Sequence, residues 1–180
     1  MELEATTSPT RTLREEHRVI LRALVLIEVA AGRLSAGGPL PAGWWAEALG
    51  WLQTFADRNH HAKEEECLFP ALGRAGVPAE GGPVGVMLDE HAEGRALIRA
   101  MAEGDPGRRG EAARRYVHLL RDHIDKENEV LLPLSDGVLD SQAQLIVARG
   151  FERVEAEQGS VASLERAEAA VDRLAAALGG

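Results

Sequence analysis

Two stretches of this 180-residue chain carry the same pattern of side chains that could bind metal. His60-His61-Ala62-Lys63-Glu64-Glu65-Glu66-Cys67-Leu68-Phe69-Pro70 aligns with His123-Ile124-Asp125-Lys126-Glu127-Asn128-Glu129-Val130-Leu131-Leu132-Pro133, 63 positions later. Histidine, lysine, glutamate, leucine and proline coincide at the same offsets. Four residues of an α-helix advance about 400°, so a glutamate four positions after a histidine lies on the same face, roughly 6 Å along the axis. An imidazole with a carboxylate one turn beyond it is a chelating pair, and two such pairs facing each other can enclose two metal ions. Each copy is also preceded by a Glu-His dipeptide, Glu16-His17 and Glu90-His91. The chemistry offered is His, then His-x3-Glu, twice over.

The elements that must hold these residues are helices. Leu13, His17, Ile20, Leu21, Leu24, Ile27, Ala31 and Leu34 recur at spacings of three and four and predict a helix over 10–35. Gly37-Gly38-Pro39-Leu40-Pro41 breaks it. A second helix is expected over 43–72, with Leu52, Ala56, His60, Glu64, Leu68 and Ala71 on one stripe. A third spans 84–103 with Val84, Met87, His91, Ile98 and Met101, and Gly104-Asp105-Pro106-Gly107 ends it. A fourth spans 108–132 with Tyr116, Leu120, His123, Glu127 and Leu131, Pro133 lying just beyond. The expected fold is all-α, an antiparallel up-down-up-down four-helix bundle over residues 10–135. Residues 136–180 form a C-terminal helical extension packing on it, with helices at 140–157 and 160–178 and Ser160 as the N-cap of the second.

His17, His60, Glu64, His91, His123 and Glu127 all fall on the apolar sides of these helices. Burying two carboxylates without counter-charge costs several kcal/mol, so internal His–Glu hydrogen bonds alone are a poorer account of the duplicated set than bound cations. His61 shares a face with Thr54, Asp57 and Glu65, and His118 with Glu111, Arg114, Asp122 and Asp125; both read as solvated. Lys63 and Lys126 read as surface ion-pair partners, Trp44, Trp45 and Trp51 as packing at the start of helix two, and Cys67 as a small buried residue.

Composition narrows the function classes. A net charge of −9 argues against nucleic acid, which demands a basic footprint. No apolar run approaches a membrane span, and the N-terminus lacks the layout of a signal peptide. A single cysteine forms no intrachain disulfide and suits a reducing cytoplasm. No nucleophile–base pair or phosphate loop points to other chemistry.

At these residues the chain resembles the hemerythrin-like, or HHE cation-binding, domain family. Glu16-His17, His60-His61-x-Lys63-Glu64-Glu65 with Leu68-Phe69-Pro70, Glu90-His91, and His123-Ile124-x-Lys126-Glu127 with Leu131-Leu132-Pro133 carry the resemblance, and Phe151-Glu152-Arg153-Val154-Glu155 is similar to the tail of some bacterial members. The resemblance implies a non-haem di-iron centre in which His17 and His60 are terminal ligands of one iron, His91 and His123 of the other, and Glu64 and Glu127 bridge them. Manganese or zinc are possible substitutes. Met87 and Arg95 stand four residues either side of His91, so the His-x3-His pair of oxygen-carrying hemerythrins is absent from the third helix. Two octahedral ions offer about twelve positions; four histidines and two bridging carboxylates fill eight, leaving room for oxygen, nitric oxide or peroxide. Sensing or iron homeostasis, a redox enzyme acting on peroxide, and a metal-stabilised partner-binding module all remain open at this level, as does the oligomeric state.

Overall fold

The structure is a computed structural model that describes residues 8–159 and 163–179. Among the described residues it is helical, without a strand. Helix α1 is Pro9–Ser35. Helix α2 is continuous over 44–74 but not regular: Trp44–Trp51 and Phe69–Arg74 are α-helical, while Leu52–His61 and Glu64–Leu68 take the wider i→i+5 turn of a π-helix. Helix α3 is Pro83–Glu103. Helix α4 covers 106–138 as Pro106–Lys126, a π-turn at Glu127–Leu131, and Leu132–Val138. Helices α5, Ser141–Gln158, and α6, Leu164–Gly179, complete the chain. No described helix is long and apolar enough to cross a membrane.

Local chemistry explains the boundaries. Proline, whose missing N–H costs nothing in a first turn, opens α1, α3 and α4. The Asp105 carboxylate accepts from Arg108 N at 3.0 Å, and Asp140 accepts from Ala143 N at 2.8 Å, capping α4 and α5. Pro133 does not end the fourth helix, contrary to the sequence expectation. A proline inside an α-helix removes one hydrogen bond and collides with the carbonyl four residues back. Here the turn before each proline is widened: Phe69 N donates to Glu64 O and Leu132 N to Glu127 O, five residues back. That expansion makes room for Pro70 and Pro133, and both helices run on. The expected Ser160 cap lies outside the described residues.

Helices α1 to α4 form an antiparallel bundle. Thr10 of α1 meets Asp136 at the end of α4, whereas Ser35 at the other end of α1 meets Arg114; Trp45 reaches Met101 and Glu65 reaches His91 across α2 and α3. Helix α6 lies along α1 and α2, where Val171, Leu174 and Leu178 join the core. The indole N–H groups of Trp44 and Trp51 donate to Leu174 O and Ala167 O, at 2.9 and 3.2 Å. Helix α5 packs on the other half of α2, so closely at Gly150 that a Cβ there would stand 2.7 Å from Cys67 Sγ. The buried apolar residues form two separate clusters. One joins Val19–Ala31 with Trp44–Ala56, Leu97–Met101, Ala112–Ile124 and α6. The other joins Leu13, Cys67–Leu72, Met87, Leu131–Leu139 and α5. Between them lies a polar layer.

Candidate metal centre

That layer is built from the duplicated motif. His17 on α1, His60, His61 and Glu64 on α2, His91 on α3, and His123 and Glu127 on α4 are all buried. Each glutamate spans two helices. Glu64 Oε1 is 3.7 Å from His60 Nε2, and its Oε2 is 3.4 Å from His91 Nε2. Glu127 Oε2 is 3.0 Å from His17 Nε2, and its Oε1 is 3.3 Å from His123 Nε2. His91 Nε2 and His123 Nε2 approach to 3.2 Å. Two sets of donor atoms each fall within 4.8 Å of one another: His17, His60, Glu64 and Glu127, and His61, Glu64, His91 and His123. All six residues singled out from the sequence are therefore brought together, with Glu64 common to both sets.

The donor atoms point inward, and apart from His91 Nε2 and His123 Nε2, which bond to each other, they are largely unpaired. His17 Nε2, His60 Nε2 and all four carboxylate oxygens of Glu64 and Glu127 are buried and make no hydrogen bond. Short separations without hydrogen-bond direction are what ligand atoms aimed at a common centre produce. Unsatisfied buried acceptors are costly, and a cation among them removes that cost. The residues present thus fit a pair of metal ions. With protein groups alone the two carboxylates respond in opposite senses. Burial and the neighbouring Glu127 charge push Glu64 well above the ordinary carboxylate range. Glu127 resists its own burial, because His123 and His17 hold it well below that range.

The outer ring nitrogens are also occupied. His60 Nδ1 pairs with Glu16 at 2.7 Å, His123 Nδ1 with Glu90 at 2.8 Å, His91 Nδ1 with Glu65 at 2.7 Å and His17 Nδ1 with Asn128 Oδ1 at 3.0 Å. Such partners fix the ring orientation and present Nε2 as the free donor. Lys63 donates to Glu16, as Lys126 does to Glu90, so the repeat extends one layer beyond the candidate ligands. Glu16 and Glu90 brace histidines from outside rather than close the site.

Two sequence expectations are corrected here. Lys63 is not at the surface but fully buried, and His61 is not solvated. The His61 ring stacks on His91 with centroids 3.8 Å apart and planes 17° off parallel. The cause is the π-helix over Leu52–His61, whose wider turn lets Asn59, His60 and His61 all face inward, which a 3.6-residue period does not allow. One signal was available: Ile124, an apolar residue and also buried, occupies the position of His61 in the second copy. His118 is solvated as read, exposed and 3.4 Å from Asp122. Cys67 is buried and unbridged, its thiol pushed up by burial.

Comparison with known proteins agrees with this geometry. Residues 8–135 match the hemerythrin HHE cation binding domain. Three uncharacterized mycobacterial proteins, one from Mycobacterium bovis and two from strains of Mycobacterium tuberculosis, are each 26% identical over 161 residues, covering 84% of this chain. The chain spans 62% of the length of those relatives. No solved structure matches it significantly.

Proposed function

This chain belongs to the hemerythrin HHE cation-binding domain family, and from that premise we propose that it is a non-haem di-iron protein that binds a small ligand such as oxygen, nitric oxide or peroxide, in sensing, iron homeostasis or stress response. His17 and His60 would serve one ion, His91 and His123 the other, with His61 as a further donor on the second, and Glu64 and Glu127 shared between them. The observation that carries the reading is the set of buried, inward-facing nitrogens and carboxylate oxygens with no hydrogen-bond partner. Imidazole and carboxylate without thiolate suit iron or manganese at high coordination number better than a closed tetrahedral zinc site.

When bound, the ions supply positions for an exogenous ligand and a store of redox equivalents. The protein's part is to fix the donors. Glu16, Glu90, Glu65 and Asn128 hold the four rings from outside, and the two apolar clusters keep bulk water from the layer. Held this way, five imidazoles and two shared carboxylates would supply nine of the about twelve positions that two six-coordinate ions offer. About three remain, one fewer than the sequence alone indicates.

Elemental analysis of aerobically purified protein tests the reading: about two iron ions per chain are expected, and one zinc with no iron would overturn it. Azide then separates ligand binding from a purely structural centre. A new charge-transfer band is expected, whereas an iron-loaded protein indifferent to azide, nitric oxide and peroxide would leave only the structural role. Sustained peroxide turnover would favour the redox-enzyme alternative.

A further inference from the structure

Helix α5 lies outside the region matched by the domain family, yet it reaches the candidate centre through a single side chain. Lys63 Nζ, fully buried, donates to Glu16 and, at 2.5 Å, to Glu155 of α5. The ring of Phe151, one turn earlier on α5, lies 5.7 Å from the same nitrogen. Glu16 in turn accepts from His60 Nδ1 at 2.7 Å and from Asn59 Nδ2 at 3.2 Å. An unbroken line of contacts therefore runs from Glu155 through Lys63 and Glu16 to His60.

The internal repeat supplies the comparison. Lys126 donates to Glu90, and Glu90 accepts from His123 Nδ1. There the line stops: the Lys126 side chain is 41% exposed, and among the described residues no second carboxylate meets it. The two halves of the motif differ in this respect because α5 covers one and not the other.

The difference has a chemical consequence. A buried ammonium with one carboxylate partner draws charge from that partner alone, which weakens the partner as an acceptor for anything else. Shared between two carboxylates, it leaves Glu16 a stronger acceptor for the His60 N–H, and an acceptor at Nδ1 raises the basicity of Nε2 toward a metal. We propose that Glu155 is a positioning residue for the metal position of His17 and His60, strengthening it relative to the position of His61, His91 and His123. This rests on the di-metal reading above.

Anaerobic titration of the full-length, metal-free protein with ferrous iron against a competing chelator tests it. Glu155→Gln keeps the shape and removes the charge; it should weaken one of the two iron equivalents by about three- to tenfold, less than the 10–100-fold typical of a direct partner of a ligand. Glu90→Gln should weaken the other equivalent. Glu66→Gln breaks a different α2–α5 ion pair, with Arg153 at 4.0 Å, and should change neither. The proposal is overturned if Glu155→Gln behaves like Glu66→Gln. It is equally overturned if Glu155→Gln weakens both equivalents alike in step with a lower melting temperature of the metal-free protein. Wild-type protein that takes up no iron would overturn the di-metal reading itself, before any substitution is made.

Discussion

At the scale of single residues, the centre depends on histidines held from both ends. His60→Ala or Glu127→Ala should abolish binding of at least one ion and lower the melting temperature, since the donors left behind lose the charge that balances them. His118→Ala is the matched control and should change neither metal content nor Tm. His61→Ala distinguishes the site described here from a four-histidine one; it should retain both ions but open a position, seen as a stronger azide band. In the metal-free protein the same residues set a pH dependence. Burial, with His17 nearby, brings His60 down to about 4, below its ordinary value of 6.5, so its unfolded form binds protons first and stability falls as pH drops from 6.5 toward 4. Burial opposes protonation of His123 too, but Glu127 and Glu90 raise it to about 9; its contribution is complete below 6.5 and is lost as pH rises through 9. Thermal melts of metal-free protein should therefore show an acid decline from His60 and an alkaline decline from His123, and metal should remove the alkaline one, because a coordinated nitrogen carries no proton to lose.

At the scale of elements, most of the architecture was legible because apolar period and ligand period coincide: His17 with Leu13 and Ile20, or His123 with Leu120 and Leu131, fall on one stripe. What was illegible follows from one departure. The widened turns of α2 and α4 change the angle per residue, so a 3.6-residue period misplaced His61 and Lys63, and a proline read as a stop proved to be a passage. The outer carboxylates Glu16 and Glu90 were visible as part of the repeat, but their bonds to His60 and His123 come from neighbouring helices, which no pattern within one helix reveals. The seat of α5 offers a test at this level. Gly150→Ala should add helix propensity worth about 1 kcal/mol, yet its new methyl would meet Cys67 Sγ at 2.7 Å, and overpacking of this kind costs about 1–3 kcal/mol. A net loss of stability is expected in urea melts. Adding Cys67→Ala should relieve the contact and recover most of it.

At the scale of the whole molecule, two apolar clusters are separated by a layer of imidazoles and carboxylates. Removing both ions should lower Tm by roughly 10–20 °C, on the basis that ligand at a hundredfold excess over Kd contributes about 2.7 kcal/mol per site and that 1 kcal/mol moves Tm by about 2–4 °C at this chain length. Calorimetry before and after chelation measures it. The divided core also bears on how the molecule opens. With ions in the layer, side chains from four helices would clamp each half to the other, and opening either half would require breaking the clamp. Without them the halves are joined by the helices themselves, by the outer bonds of the histidines to Glu16, Glu65, Glu90 and Asn128, and by a layer in which the oxygens of Glu64 and Glu127 lack a hydrogen bond. The end that holds α5, with the smaller cluster, becomes free to exchange its amide hydrogens while the end that holds the tryptophans stays closed. The metal would then decide whether this chain unfolds as one cooperative unit or as two.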